Sequence, residues 1–147
     1  MKELSKYFEI VVFTASHACY ANPVINYLDP EGKYVTKRLF RENCRQISET
    51  LYVKDLTVFK GRQLKNMVLV DNAAYSYSLQ LNNGIPIIPF YSNKKDTELK
   101  ELVTFLMGLL EVDDVRPLLK SKFKLETVSE NSKNMNVLFN KLFGIGV

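Results

Sequence analysis

The sequence predicts an α/β fold, a parallel sheet of buried strands with helices on both faces. Three near-continuous apolar runs carry the strands: FEIVVF at 8–13, MVLV at 67–70 and IPIIPF at 85–90. Apolar residues also recur at helical spacing, at Ala18, Ala21, Ile25 and Leu28 and again from Asp96 to Leu110. Buried runs rich in Val and Ile that alternate with helices belong to parallel sheets, whereas a half-wet antiparallel strand alternates apolar with polar residues.

Residues 2–7 are helix-like and lead into the first strand, which stops at the polar Thr14-Ala15-Ser16. A helix is expected over His17 to Leu28, with Pro23 delaying its regular part and Asp29-Pro30-Glu31-Gly32 ending it. Short pieces at Val35 to Phe40 and Leu51 to Val53 add strands or loops whose order the sequence leaves open. The second strand runs into Asp71-Asn72, and the third, with Pro86 and Pro89, belongs at an edge because proline donates no ladder hydrogen bond. An amphipathic helix over about Asp96 to Leu110 and a shorter one from Asp114 to about Lys122 complete the domain, expected at 1–123. Residues 124–147 read as an extension whose apolar end, VLFNKLFGIGV, should dock somewhere.

With 46% hydrophobic and 24% charged residues, the 147 residues suffice for one ordinary core. No run approaches the roughly 18 apolar residues of a membrane span, and charges near the N-terminus stand where a signal peptide is apolar. The expectation is an intracellular protein, nuclear or cytoplasmic. Cys19, Cys44 and the lone His17 make neither a disulfide framework nor a zinc site, so the thiols read as buried or idle.

The net charge is +4, with five Lys against two Glu in 117–147 and 15 basic against 14 acidic residues before it. Within the balanced part, Lys33, Lys37, Arg38, Arg41 and Arg45 surround only Glu31 and Glu42. Such a face suits an acidic or phosphorylated partner, although a solvated loop is the commoner meaning of a basic run. Direct nucleic-acid binding is not expected, because no basic helix or Gly/aromatic signature accompanies the charge.

Ligands in open parallel sheets bind beyond the carboxyl ends of strands, and two strands here end in Thr14 and in Asp71-Asn72. A hydroxyl and backbone N–H groups at Thr14 can hold a phosphoryl oxygen; taken alone, it is an ordinary strand-terminal Thr. Lys54 offers a point charge against a phosphoryl group; taken alone, it is a solvated lysine. Asp71 and Asn72 offer hard oxygens suited to Mg²⁺, or simply a turn.

Four stretches in order, FEIVVFTAS at 8–16, RLFRENC at 38–44, YVKDL at 52–56 and MVLVDNAAYSY at 67–77, resemble one branch of the haloacid dehalogenase superfamily. This branch dephosphorylates RNA polymerase II tails and includes the small C-terminal-domain phosphatases, a nuclear-envelope phosphatase and a mitochondrial import receptor. Weaker agreement at YANPVINYLDP, NNGIPI and the DTEL…DDVR pattern extends the resemblance to about residue 118. It implies a Mg²⁺-dependent phosphoserine/phosphothreonine protein phosphatase fold acting on a phosphorylated protein or peptide. It further implies that Thr14 and Lys54 hold the phosphate, Asn72 ligates magnesium, Asp71 supports the metal shell, and Ser16, Tyr20 and Arg41 contact substrate.

These phosphatases carry an Asp-X-Asp-X-Thr motif after their first, central strand, its first Asp the nucleophile and its second the general acid and base. The 147 residues contain no such motif. The only close acidic grouping, Glu111 to Asp114, reads better as a solvated helix terminus. The expectation is therefore a core fragment lacking that strand, inactive alone and weak in magnesium binding, which dimerises through the exposed sheet, swaps a strand or replaces the strand with its C-terminal VLFNKLFGIGV. A non-catalytic binding module is the alternative. His17 stands where the small phosphatases place a Leu against a proline pocket, and Ala73-Ala74 replaces their Ser-Pro, so a polymerase-tail preference is not carried over.

Overall fold

A computed structural model describes residues 1–126, and the apolar segment expected to dock, at 137–147, lies outside them. The chain is an α/β protein of two compact units, Met1–Asp55 and a second that begins at Leu56.

The first unit opens with a 3₁₀ turn, Leu4–Lys6, before β1, Ile10–Phe13. The strand is shorter and less covered than its apolar run predicts: Ile10, Val11 and Val12 are half-buried and only Phe13 is buried. Helix α1, Ala18–Leu28, contains Pro23 and is regular from its first residue, so the proline does not delay it. Both Pro23 and Cys19, whose carbonyl loses its i+4 donor, are exposed. The helix buries Ala21 and Ile25 and turns Tyr20, Val24, Tyr27 and Leu28 outward.

Beyond α1 the buried Asp29 organises the turn. Its carboxylate accepts the N–H groups of Lys33 (2.9 Å), Tyr34 (2.9 Å) and Val35 (2.8 Å), while Gly32, at φ 62°, takes the left-handed conformation the reversal needs. Those bonds launch β2, Val35–Leu39, which lies parallel to β1 with Phe13 opposite Leu39. The register shifts between Ile10 and Val11, and at this bulge the Thr36 hydroxyl donates to the Ile10 carbonyl at 3.0 Å. A short antiparallel pair, β3 (Arg45–Gln46) and β4 (Tyr52–Val53), completes the unit. Phe13, Ala21, Ile25, Leu39 and Val53 are its buried apolar residues.

In the second unit β5, Leu69–Asp71, pairs in parallel with β6, Gly84–Pro86, through two 3₁₀ turns, Ala74–Tyr77 and Leu81–Asn83. The expected third strand over 85–90 thus starts one residue earlier and ends at Pro86; Pro89 has no N–H for a ladder, and Ile88 and Phe90 are exposed. Buried Asn83 donates to the carbonyls of Leu64 (2.6 Å) and Met67 (2.7 Å), which ties the approach to β5 to the approach to β6. Helix α2, Glu98–Gly108, ends in a 3₁₀ turn, and α3, Val115–Phe123, follows. Asp114 caps α3 by accepting the Arg116 N–H at 2.9 Å, and the Arg116 side chain, bonded back to it, holds that carboxyl down at about 2. The acidic grouping at 111–114 is accordingly a helix terminus. Leu56, Leu69, Ala74, Tyr77 and Leu125 form the core.

Among the described residues each parallel sheet has two strands, so every strand is an edge. The parallel sheet that the sequence predicts is present as these small pairs.

Two expectations follow. Gly84 is pressed against the fully buried Tyr77, whose ring carbons would lie 2.5 and 2.7 Å from an added Cβ. Gly84→Ala should therefore cost about 1–3 kcal/mol, read from the urea midpoint. Asp29 is held below the usual carboxylate range, foremost by the Val35 N–H against the opposing effect of burial, then by Tyr34, Lys33 and the Arg38 charge. Its contribution to stability is present above about pH 4, the ordinary Asp range, and disappears as pH falls below it. Asp29→Asn should flatten that acid limb and lower stability at neutral pH; an unchanged acid-unfolding profile would contradict this role.

Candidate functional site

The end of β1 and the start of the loop after β2 are tied together through Thr14. Its N–H donates to the Leu39 carbonyl at 2.9 Å, extending the parallel ladder by one bond, and its Oγ1 accepts the Ser16 N–H at 3.1 Å. The loop from Thr14 to His17 is thereby folded back on itself, with Thr14 and Ser16 both half-buried. Its free end is held by Arg41, in a 3₁₀ turn at Arg41–Asn43. The Arg41 N–H donates to the Ser16 carbonyl at 3.1 Å, and Nε donates to the Ala15 carbonyl at 2.6 Å. Nη1 lies 3.0 Å from Nε2 of His17, and the guanidinium carbon sits 5.0 Å from the ring centre of Tyr52.

Thr14, Ser16 and Arg41 are thus brought into one constellation. Lys54 belongs to the same unit, half-buried, two residues beyond the Tyr52 that stacks on Arg41. Among the described residues the Tyr20 hydroxyl makes no hydrogen bond to this constellation; it stands 70% exposed on the first turn of α1. Four of the five residues of the basic run are individually engaged, and the fifth, Lys37, is exposed. Arg38 donates to Asn22 (2.9 Å) and Asn26 (2.8 Å) on α1, Lys33 pairs with Glu31, and Arg45 lies 4.0 Å from Asp55. Cys44 is half-buried with Sγ 3.8 Å from the Thr14 carbonyl, and Cys19 is exposed, so neither thiol is deep in the core.

Asp71 and Asn72 lie in the second unit, at the carboxyl end of β5. Asp71 is half-buried and its Oδ1 accepts the Ala73 N–H at 2.7 Å; Asn72 is exposed. The Tyr77 hydroxyl is buried without a hydrogen-bond partner among the described residues. Burial foremost, and then the nearby Asp71 charge, push that phenol well above its ordinary range. The oxygens of Asp71 and Asn72 fit magnesium, which is satisfied by one or two protein ligands plus phosphate and water. Among the described residues no three Asp, Glu, His or Cys side chains cluster as a metal site. A cavity of about 310 Å³ in this unit is lined by Leu64, Gln80, Asn82, Arg116 and Glu126, among others, and by no expected site residue.

Sequence reasoning missed three participants. The sequence presents Asp29 in a stop signal, Tyr52 in the YVKDL stretch and His17 as a helix start that departs from a family pattern, without showing that the Arg41 guanidinium meets the side chains of the last two.

Residues 1–116 match the family described as NLI interacting factor-like phosphatase. Among individual relatives, the chain is 43% identical over 125 residues to CTD small phosphatase-like protein 2 of Dictyostelium discoideum, covering 85% of this chain and 22% of that one. It is 40% identical over 120 residues to carboxy-terminal domain RNA polymerase II polypeptide A small phosphatase 1 of Homo sapiens, covering 82% and 45%. It is 36% identical over 141 residues to the mitochondrial import inner membrane translocase subunit TIM50 of Candida glabrata, covering 94% and 28%. The chain thus spans less than half the length of these relatives. No helix among the described residues is long and apolar enough to cross a membrane.

If the guanidinium fork holds the loop, Arg41→Lys should lose the bond to Ala15 and the flat stack on Tyr52 while keeping the charge. A loss of about 1 kcal/mol is expected in chemical denaturation. A variant as stable as the parent would show that the loop holds its shape without those contacts.

Proposed function

The chain belongs to the NLI interacting factor-like phosphatase family, and from that premise we propose that it serves a magnesium-dependent protein phosphatase of the C-terminal-domain type, acting on phosphoserine or phosphothreonine in a protein. The observation that carries the reading is the strand-end loop of Thr14 to His17, folded by the Thr14 hydroxyl and held by Arg41. A phosphate needs convergent hydroxyl and cationic donors on a preorganised backbone, and this loop brings the Thr14 and Ser16 hydroxyls beside the Arg41 guanidinium, with the Thr14 and Ser16 N–H groups spent in folding it.

In this reading Thr14 and Ser16 orient the phosphoryl oxygens, and Lys54 neutralises charge that accumulates on them as the phosphorus is attacked. Arg41 and Tyr20 contact the substrate beside the phosphate. Asp71 and Asn72, in the second unit, are the chain's ligands for magnesium, which when bound supplies positive charge for phosphoryl chemistry. Attack itself requires a carboxylate nucleophile, and these residues place none after a strand with the Asp-X-Asp-X-Thr pattern. Turnover therefore depends on a segment in addition to the 147 residues. The site of action would be intracellular, nuclear or cytoplasmic, and a homodimer through the open strand edges is compatible with the two-stranded pairs.

A second reading is favoured by the same missing carboxylates and by the likeness to an import translocase subunit: a module that binds phosphorylated or acidic peptides without hydrolysing them.

The 147-residue chain should not hydrolyse p-nitrophenyl phosphate or phosphoserine peptides with magnesium, yet should bind the peptides weakly. Binding should fall sharply in the Thr14→Ala, Lys54→Ala double variant. Supplying a family segment that carries Asp-X-Asp-X-Thr, fused or in trans, should then give magnesium-dependent turnover that is lost in Lys54→Ala. Binding indifferent to the double variant would remove the phosphate-holding roles. Binding without restored turnover would move the protein to the second reading.

A further inference from the structure

The contact between His17 and Arg41 restricts the chemistry of both. A guanidinium has N–H donors and no acceptor, so Nε2 of His17, 3.0 Å from Nη1, must be the acceptor. The tautomer that suits this contact is the one with its proton on Nδ1. Protonation turns Nε2 into a donor facing a donor, and two cations then stand side by side. Arg41 cannot readily swing away, because Nε is bonded to the Ala15 carbonyl and the fork is stacked on Tyr52. An oxyanion shared between them satisfies both groups at once, accepting a charge-assisted hydrogen bond from each.

We propose that His17 and Arg41 form a proton-gated clamp for an anionic side chain that flanks the phosphorylated residue of a peptide. This deepens the phosphopeptide reading and rests on it. His17 is exposed and open to a ligand from solvent, while Arg41 is half-buried and fixed, so the pair combines an adaptable arm with a rigid one. Other ionisable groups on the neighbouring elements of this unit are Cys19, Tyr20 and Tyr27 on α1, Lys37 and Arg38 on β2, Glu42 beside Arg41, and Cys44 and Arg45 just beyond that turn. Tyr52 follows on β4, with Lys54 and Asp55 after it. Glu42 and Asp55 are the carboxylates of this set; Glu42 is exposed and Asp55 lies 4.0 Å from Arg45. The clamp accepts either a carboxylate or a second phosphate, the two sources of the same oxyanion chemistry.

The test compares phosphoserine peptides that differ only in the neighbouring residue: Glu, Gln or a second phosphoserine. The phosphate common to the Glu and Gln peptides titrates alike in both, so the ratio of their affinities isolates the flanking charge. Between about pH 8 and pH 6, across the histidine range, the preference for Glu over Gln should rise roughly three- to tenfold. His17→Gln keeps an acceptor for Arg41 but takes up no proton, and in this variant the preference should be the same at both pH values. The chain has one histidine, so its imidazole proton resonances report on His17 alone and should move toward the protonated position when the Glu peptide is added at neutral pH. Stronger preference for the doubly phosphorylated peptide than for the Glu peptide assigns the clamp to a second phosphate, and the reverse assigns it to a carboxylate. A preference that ignores pH, or that keeps its pH dependence in His17→Gln, overturns the clamp while leaving phosphopeptide binding in place. Failure of every peptide to bind defeats the underlying reading and the clamp with it.

Discussion

Three backbone N–H groups converging on one buried carboxylate set the geometry of the first unit. Without Asp29, the donors of Lys33, Tyr34 and Val35 would enter a turn between a helix and a strand with nothing to accept them. With it, the end of α1 and the beginning of β2 become a single rigid corner. The corner decides where β2 runs, β2 decides which carbonyl meets the Thr14 N–H, and the turn after β2 delivers Arg41 to the loop beyond β1. The buried carboxylate is therefore at the far end of the βαβ unit from the groups whose placement depends on it.

What Arg41 organises is a loop rather than a pocket. The Thr14 and Ser16 hydroxyls sit on a backbone held by the Ser16 N–H bond to Thr14 Oγ1 and by a guanidinium that also stacks on Tyr52. Preorganisation of this kind matters for phosphate recognition, since donors already aimed need not be ordered when the ligand arrives. The family match places the chain in the NLI interacting factor-like phosphatase family, and an Asp71 oxygen at the end of β5 accepts the Ala73 N–H. The nucleophile is the component the 147 residues do not supply in the expected pattern.

Much of this was legible because local signals and tertiary requirements agreed. The apolar runs at 8–13 and 67–70 do contain strands, the periodicity at 17–28 and 96–110 does mark helices, and Thr14 and Asp71 do stand at strand ends. The misreadings have physical causes. Ile87 to Phe90 are as apolar as a strand, but Pro89 cannot donate, so composition there overstated the ladder. Pro23 was read as a helix delay from its covalent restriction alone, whereas helix α1 gives up one hydrogen bond at the Cys19 carbonyl and continues. The partnership of His17 with Arg41 spans 24 positions and has no local signature, and a charge run offered no way to see that Arg38 would turn to two asparagines on α1. Pairings between distant side chains follow from the fold and are invisible to any window narrower than it.

The bulge at Thr36 bears on how this fold tolerates changes of length. Side chains on a strand alternate between faces, so one extra residue exchanges inside for outside from that point on. By absorbing one residue opposite Ile10, Thr36 sets the phase in which Leu39 points into the core and Arg38 reaches Asn22 and Asn26. A one-residue deletion ahead of β2 would be read as a phase error, reversing every later position up to the turn that carries Arg41. A two-residue change would restore the alternation and be the milder lesion, so natural length variation in this stretch is expected to come in even steps.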